Sequence, residues 1–402
     1  MRKVYVVEAK RSPIGSFMGS LSTIHPAEIS AQVIASMMEK IQLDAKEIDE
    51  VIVGNILPAG LKQGIGRQVS VLAGIPVEVP AYALNMACGS GMKAVMIAYQ
   101  NIASGLHDLV IAGGVESMSQ APYLVPFGVR GGVKMGDLTM KDHMIYDALT
   151  DAFEGYHMGI TAENIVEKYQ IPREEQDAFA IKSQQKAILA QDQGKFKDEI
   201  VPIRYQTRKG EVLVSEDEYI NRQTSLEKLS GLRPAFKKDG TVTAGNASGI
   251  NDGASFMILA SDDYVQKHGL NPLAEVVGIG QGGVSPSIMG LGPTPAIGHA
   301  LKHAGLTFDD MDLIELNEAF AAQSLGVIKE LSDAYQTPQE AIMEKTNMNG
   351  GAIALGHPVG ASGNRIMVTL LHEMMKHTHV QYGLASLCIG GGMGTAVILK
   401  KV

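Results

Sequence analysis

Asn85-Met86-Ala87-Cys88-Gly89-Ser90-Gly91-Met92-Lys93-Ala94-Val95 reads as a tight glycine-rich turn that opens a helix running to about Gln100. Cys88 stands just before the helix start. A thiol there meets the positive end of the backbone dipole, which favours thiolate over thiol. Gly89 and Gly91 allow a sharp turn and the close approach of a ligand. An isolated cysteine is most often a small buried hydrophobe. The flanking glycines and the helix opening turn this one toward a nucleophile without settling it.

Working outward, apolar runs alternate with helical patterns. Val4 to Val7 reads as a first strand. A helix begins near Pro26, with Ile29, Val33, Ile34, Met37 and Ile41 on its buried face. Val51-Ile52-Val53 is a short buried strand, and a helix around Arg67 to Ala73 precedes the Cys88 turn. Beyond it, Leu109-Val110-Ile111-Ala112-Gly113-Gly114 is a continuous apolar run ending in glycines. Alternation of this kind predicts an α/β fold with a largely buried sheet.

The last third echoes the first. Asp49 to Asn55 is matched by Asp312 to Asn317, Ser90-Gly91-Met92-Lys93 by Ser362-Gly363-Asn364-Arg365, and Val110 to Gly114 by Ser386 to Gly392. Three matches in one order predict two copies of one α/β unit. If the copies pack symmetrically, their glycine-rich turns converge on one site. Between them the texture changes. Residues 120 to 160 lack a period, Arg173 to about Gln193 is helical, and 195 to 240 is irregular and charged. Arg204, Arg208, Lys209, Arg222, Lys228, Arg233, Lys237 and Lys238 there form either a solvated surface or a landing place for a phosphate-bearing substrate.

Composition narrows the class. In 402 residues, 45% are hydrophobic and 19% charged, which suits a globular chain with a sizeable core. A net charge of -9 argues against a nucleic-acid binder. No apolar run is long enough for a membrane span. With only two cysteines, Cys88 and Cys388, a disulfide scaffold is excluded and a reducing, cytoplasmic setting is expected.

Four loops carry polar groups in small apolar settings: the Cys88 turn, Asn317-Glu318-Ala319-Phe320, Gly356-His357-Pro358, and Cys388-Ile389-Gly390-Gly391-Gly392. Singly, His357 and Asn317 read as structural residues. Together the set has what acyl transfer through a thioester requires. A thiolate nucleophile needs a base within reach, and the oxygen that gains charge needs fixed donors such as unobstructed backbone amides. Two cysteines and a histidine could also hold zinc, but they lack the close pairwise spacing of such sites, so no metal is expected.

Asn85-Met86-Ala87-Cys88-Gly89-Ser90-Gly91, Ala112-Gly113-Gly114-Val115-Glu116-Ser117-Met118-Ser119, Asn317-Glu318-Ala319-Phe320-Ala321, Gly356-His357-Pro358-Val359-Gly360-Ala361-Ser362-Gly363 and Cys388-Ile389-Gly390-Gly391-Gly392 stand in one order along the chain. In this the sequence resembles the thiolase family, specifically its short-chain biosynthetic type, from Val4 to the C-terminus. The resemblance implies a duplicated five-layered αβαβα fold with an inserted loop domain. The halves would be 1–119 with about 249–270, and 271–402, with the insertion at 120–248.

It also implies roles. Cys88 resembles the nucleophile that takes up the acetyl group. His357 resembles the base that activates it and a donor to a first oxyanion hole, in which Asn317 resembles the residue holding a water. Cys388 resembles the acid/base that deprotonates the second acetyl-CoA. The amides of Cys88 and Gly390 resemble a second oxyanion hole. Met158, Met289 and Phe320 would close a short acyl pocket. Ala244, Ser248, Leu149, His157, Phe236 and Ala319 would contact coenzyme A. Many relatives place an Arg directly after a run like Asp217 to Ile220, at the nucleotide end; here Asn221 stands there and Arg222 follows.

The implied reaction joins two acetyl-CoA into acetoacetyl-CoA and CoA, without a metal or redox cofactor, in a homotetramer built as a dimer of dimers. A degradative 3-ketoacyl-CoA thiolase and a non-catalytic thiolase-fold lipid carrier are the alternatives. A disulfide between Cys88 and Cys388 under oxidant is a further possibility for the shared site. A ketosynthase would pair its cysteine with two histidines, whereas Asn317 stands at the second place.

Overall fold

A computed structural model describes residues 2–402. Its first half supplies strands β1 (Val4–Arg11), β2 (Glu50–Gly54), β3 (Ala81–Leu84), β4 (Leu109–Ser117) and β5 (Asn251–Ser261). The second supplies β6 (Ala274–Gly283), β7 (Leu313–Leu316), β8 (Tyr382–Ile389) and β9 (Met393–Lys401). They run in the order β7-β8-β9-β6-β1-β5-β4-β2-β3, with the short Gly15–Ser16 strand beside β5. The seam between halves is the β1–β6 contact, antiparallel over only Tyr5↔Glu275 and Val6↔Ala274.

From that seam the halves read alike: β1-β5-β4-β2 on one side, β6-β9-β8-β7 on the other. Directions match as well. The first two pairings are antiparallel and the last is parallel on each side. The repeat predicted from sequence is therefore present, with β2 answering β7 and β4 answering β8. β3 has no counterpart; beside β7 there is only an isolated bridge from Ile314 to Thr346.

Strand alternation decides the layers, because successive side chains leave opposite faces. Val51, Val53, Ile111 and Ile258 point outward, under α1 (Pro26–Lys40) and α2 (Ile65–Leu72). Ile52, Val110 and Leu259 point inward, onto α3 (Ser90–Ala103). In the second half Leu384 and Ile398 pack outward, while Ala385, Leu387 and Val397 face the interior. The outer helices there are Pro293–Ala304 and Ala321–Tyr335, and the inner one is Val359–Lys376. This inner helix is buried at every residue from Val359 to Met374, as a helix sandwiched between the two halves of the sheet must be. The result is the five-layered αβαβα arrangement.

Residues 120 to 248 lie outside the large sheet. The fully buried Arg11 ties this region to β1: its Nε donates to Glu199 (2.6 Å) and its two Nη groups to Asp217 (2.7 and 2.8 Å). Several elements there are not foreshadowed by the sequence pattern. One is the Ile203–Thr207/Gly210–Val214 hairpin, whose strands are mostly exposed. Another is the Met158–Tyr169 helix, capped by His157, whose Nδ1 accepts from the Gly159 amide at 3.0 Å. Ile41 is a C-cap rather than part of the buried face of α1.

Candidate active site

The two inner helices touch at their N-termini. A side chain at Gly91 would meet the Gly360 carbonyl at 2.9 Å, and one at Gly363 would meet the Met92 amide at 2.7 Å. Each half thus provides the gap the other fills, and the turns preceding the two helices are drawn together. The Cys88 turn is pinned locally. The Ser90 hydroxyl accepts from the Met86 amide (2.8 Å) and donates to the Ala87 carbonyl (2.7 Å), and Asn85 accepts from the Ala87 amide (2.9 Å). Ala87 is held at φ 43°, in the left-handed region, where a side chain is strained.

Opposite lies the loop after β8, with Ile389 directly against Gly89. Gly391 and Gly392 both have positive φ (88° and 87°) and return the chain into β9. The amides of Gly390 and of Cys88 itself donate toward the Cys88 sulfur.

His357 enters from the second half. Gly356 adopts φ 101°, and the His357 amide donates to Asn251 Oδ1 at 2.9 Å, whose Nδ2 in turn donates to the Gly15 carbonyl at 3.0 Å. The imidazole Nδ1 lies 2.6 Å from Ser362 Oγ, and that hydroxyl donates its proton to the Pro358 carbonyl at 2.9 Å. With its one proton so used, the hydroxyl accepts from Nδ1–H. That arrangement leaves the free lone pair on Nε2.

Cys88, His357, Cys388 and Gly390 line one cavity of about 510 Å³. Leu149, His157, Met158, Phe236, Ala244, Ser248, Met289, Ala319 and Phe320 line it too. Its walls are interlocked. The Ser248 amide donates to the Ala319 carbonyl at 2.9 Å, Ala247 bridges Phe320, and His157 stacks on Phe236 with centroids 4.5 Å apart. Phe17 and Tyr219, not singled out by the sequence, complete the mouth. Asn317 is buried just behind β7 and is not part of the lining; among the described residues neither polar atom of its amide finds a partner.

One expectation about ionisation needs correction. Cys88 is not ionised at rest: burial pushes its thiol up to about 11, only partly offset by the Gly390 and Cys88 amides, and the Glu116 carboxylate adds to the rise. Desolvation outweighs the helix dipole here. His357 is likewise held neutral, its imidazole lowered to about 4 by burial and then by the Arg365 charge. The resting dyad is thiol and imidazole. Burial also raises the Cys388 thiol, and the neighbouring Cys88 raises it further.

Arg222 does not reach the cavity. Its guanidinium donates to Asp192 and Gln191, both at 2.7 Å. Arg204 and Lys237 are similarly paired with Glu211 and Glu167, so these members of the basic stretch belong to the solvated surface. Lys228 differs: with Asn221 and Thr224 it lines a neighbouring groove that shares Ser16, Tyr219 and Ala244 with the cavity.

Two buried glutamates inside the quoted motifs also went unassigned by sequence. Glu116 accepts from Asn55 Nδ2 and from the amides of Ile56, Leu57 and Gly360 at 2.9–3.1 Å, and burial raises its carboxyl to about 7. Glu318 accepts from Ser183 (2.6 Å) and Asn347 (2.8 Å). Among the described residues no three His, Cys, Asp or Glu side chains gather as a metal ion would need, and no helix is long and apolar enough to cross a membrane.

Comparison with known proteins agrees with this architecture. Residues 4–263 match the family described as thiolase, N-terminal domain, and residues 270–401 match thiolase, C-terminal domain. A probable acetyl-CoA acyltransferase of Staphylococcus epidermidis is 52% identical over 402 residues, covering 100% of this chain and 99% of its own. An acetyl-CoA acetyltransferase of Chromobacterium violaceum is 52% identical over 400 residues, covering 99% and 100%. Among solved structures, acetyl-CoA acetyltransferase from Syntrophomonas wolfei superposes with a TM-score of 0.96 at 42% identity, covering 100% of both chains. Human mitochondrial 3-ketoacyl-CoA thiolase gives 0.93 at 45%, covering 100% and 99%. The chain belongs to the thiolase family.

Proposed function

We propose that this protein condenses two acetyl-CoA molecules to acetoacetyl-CoA and CoA, reversibly, through an acetyl group carried on Cys88. The observation that carries the reading is the convergence of two thiols, a neutral imidazole and a backbone amide pair on one apolar cavity. His357 Nε2 takes the Cys88 proton as sulfur attacks the first thioester carbon. The C–S bond to CoA breaks, and the leaving thiolate takes that proton from His357. His357, neutral again and lining the same cavity, takes the proton of the Cys388 thiol, and the Cys388 thiolate removes an α-proton from the second acetyl-CoA. The carbanion attacks the acetyl carbon on Cys88, the oxyanion is held by the Cys88 and Gly390 amides, and Cys88 leaves as thiolate and recovers its proton from the protonated His357. Every bond and proton balances without a metal or redox cofactor.

Met158, Met289 and Phe320 bound the cavity beside Cys388 and favour a short acyl group. The similarity to a 3-ketoacyl-CoA thiolase supports a second reading, degradative cleavage over a broader range of chain lengths. Two free cysteines fit the reducing cytoplasm. We place a homotetramer interface on the segment around Tyr123 to His143, where Phe127 and Met135 are 91% and 94% exposed and Tyr123 and Met140 are exposed too.

The decisive experiment is intact mass spectrometry with acetyl-CoA, beside Cys88→Ala. One added acetyl group on the parent and none on the variant is expected. No acetylation of the parent overturns the acyl-transfer reading in favour of a lipid carrier. Efficient cleavage of a long-chain 3-ketoacyl-CoA would favour the degradative enzyme.

A further inference from the structure

Behind the cavity, the second half carries two buried ionisable side chains that the reaction above does not use. Glu315 lies on β7, and Asn317 follows two residues on, so their side chains leave the same face of the strand. Arg365 lies on the inner helix that begins at Val359, one turn beyond Ser362, whose hydroxyl holds the His357 imidazole. Arg365 Nη1 and Glu315 Oε2 are 3.6 Å apart, with 2% and 4% of the side chains exposed; the contact is electrostatic rather than a hydrogen bond, and among the described residues neither that oxygen nor any guanidinium nitrogen has a hydrogen-bond partner.

Burying such a pair adds little to stability, because desolvation offsets the attraction; well-packed apolar residues would hold the two elements together as well. The pair joins the helix that orients His357 to the strand that leads into Asn317. Any slip between those elements would move His357 relative to Asn317. We propose that Glu315 and Arg365 are positioning residues that register His357 against Asn317 and set the charge environment of the imidazole. The proposal rests on the acyl-transfer reading.

The electrostatics agree in sign. Arg365 is the one charged group that bears on His357, and it disfavours the imidazolium. Around Arg365 stand Glu315, Glu199 and Glu318, which hold its charge, and Arg11, which opposes it. Burial raises the Glu315 carboxyl, with Glu318 and Glu199 adding to the rise, while Arg365 and Lys186 pull it back. Because His357 must be neutral to accept the Cys88 proton, a lowered imidazole keeps the base active at more acid pH. Removing the guanidinium returns His357 toward its ordinary value, so activity is lost at a higher pH as the solution is acidified.

The test is the pH dependence of Cys88 acetylation, together with kcat and KM, in Arg365→Met, Arg365→Lys and Glu315→Gln. In Arg365→Met the acid limb should move up by about one pH unit. Its kcat should fall at least about tenfold, with KM for acetyl-CoA near the parental value. Arg365→Lys keeps the charge and should keep the limb in place. Glu315→Gln leaves the positive charge but releases its anchor, so kcat should fall with no upward movement of the limb. An unmoved limb in a folded Arg365→Met variant overturns the proposal. If that variant does not fold, parental kcat in both Arg365→Lys and Glu315→Gln overturns it. Failure of the parent to acetylate at all sinks the acyl-transfer reading instead, and this proposal with it.

Discussion

The two halves share strand order, strand directions and an inner helix, yet they deliver different chemistry from equivalent places. In the first half the turn before the inner helix carries Cys88; in the second, the turn before the inner helix carries His357. At the end of β4 stands Glu116, a buried carboxylate that gathers four donors and fastens loops. At the end of β8 stands Cys388, a thiol opening on the cavity. The scaffold was reused while the side chains at its strand ends and helix starts diverged. Under the proposed reaction one half holds the acyl carrier, and the other holds both groups that move protons. Placement is a property of the duplicated backbone; the reaction is a property of what differs.

The sharpest way to break this division is to remove one thiol at a time. Cys388→Ala should leave acetylation of Cys88 by acetyl-CoA intact, as read by mass, while condensation and the thiolysis of acetoacetyl-CoA fall by about 10³-fold or more. If Cys388→Ala also abolishes acetylation, the two halves do not divide the reaction as described.

A smaller effect tests the contact that joins the halves. Gly91→Ala forces a methyl group against the Gly360 carbonyl and Asn364 amide of the other helix, 2.9 and 3.0 Å from where Cβ would stand. Neither helix backbone can yield cheaply, so a loss of about 1–3 kcal/mol in unfolding free energy is expected, read from the denaturant midpoint. Gly128→Ala, whose Cβ would meet nothing within 4 Å, serves as the control. Equal midpoints for the two variants would mean that the helix contact is softer than its geometry.

How much of this was legible in the sequence follows from what fixes each feature. β2, β4, β7, β8 and the two inner helices declare themselves, because burial on both faces demands continuous apolar runs and the helix starts demand glycine. The cavity residues were legible through motifs whose order along the chain is itself specific. The ionisation of Cys88 was not: its helix-start position argues for a thiolate, and only the packed structure shows that desolvation is the larger effect. The tautomer of His357 also depends on a hydrogen-bond chain, through Ser362 to Pro358, that spacing alone leaves undetermined. The 203–214 hairpin escaped because its strands face water on most positions and carry no clean alternation.

Arg222 is the clearest case of side-chain reach overruling sequence position. It follows Asn221 directly, yet Asn221 lines the groove beside the cavity while Arg222 turns to Asp192 and Gln191. An exposed pair of this kind is screened and contributes little to binding at a distance. Lys228, by contrast, lines the groove that shares Ser16, Tyr219 and Ala244 with the cavity and, among the described residues, donates only to a backbone carbonyl, that of Gln223 at 2.7 Å; under the proposed function this groove is where the phosphate-bearing tail of acetyl-CoA is placed. Arg222→Ala should therefore leave KM for acetyl-CoA unchanged, while Lys228→Ala should raise it roughly three- to tenfold, more at low ionic strength, with kcat retained. The opposite pattern would put the nucleotide end on the Arg222 side and would require that side chain to leave Asp192 when substrate binds. A salt series separates the outcomes, since a charge that meets phosphate loses its effect on KM as ionic strength rises, and a charge already neutralised by a carboxylate has little to lose.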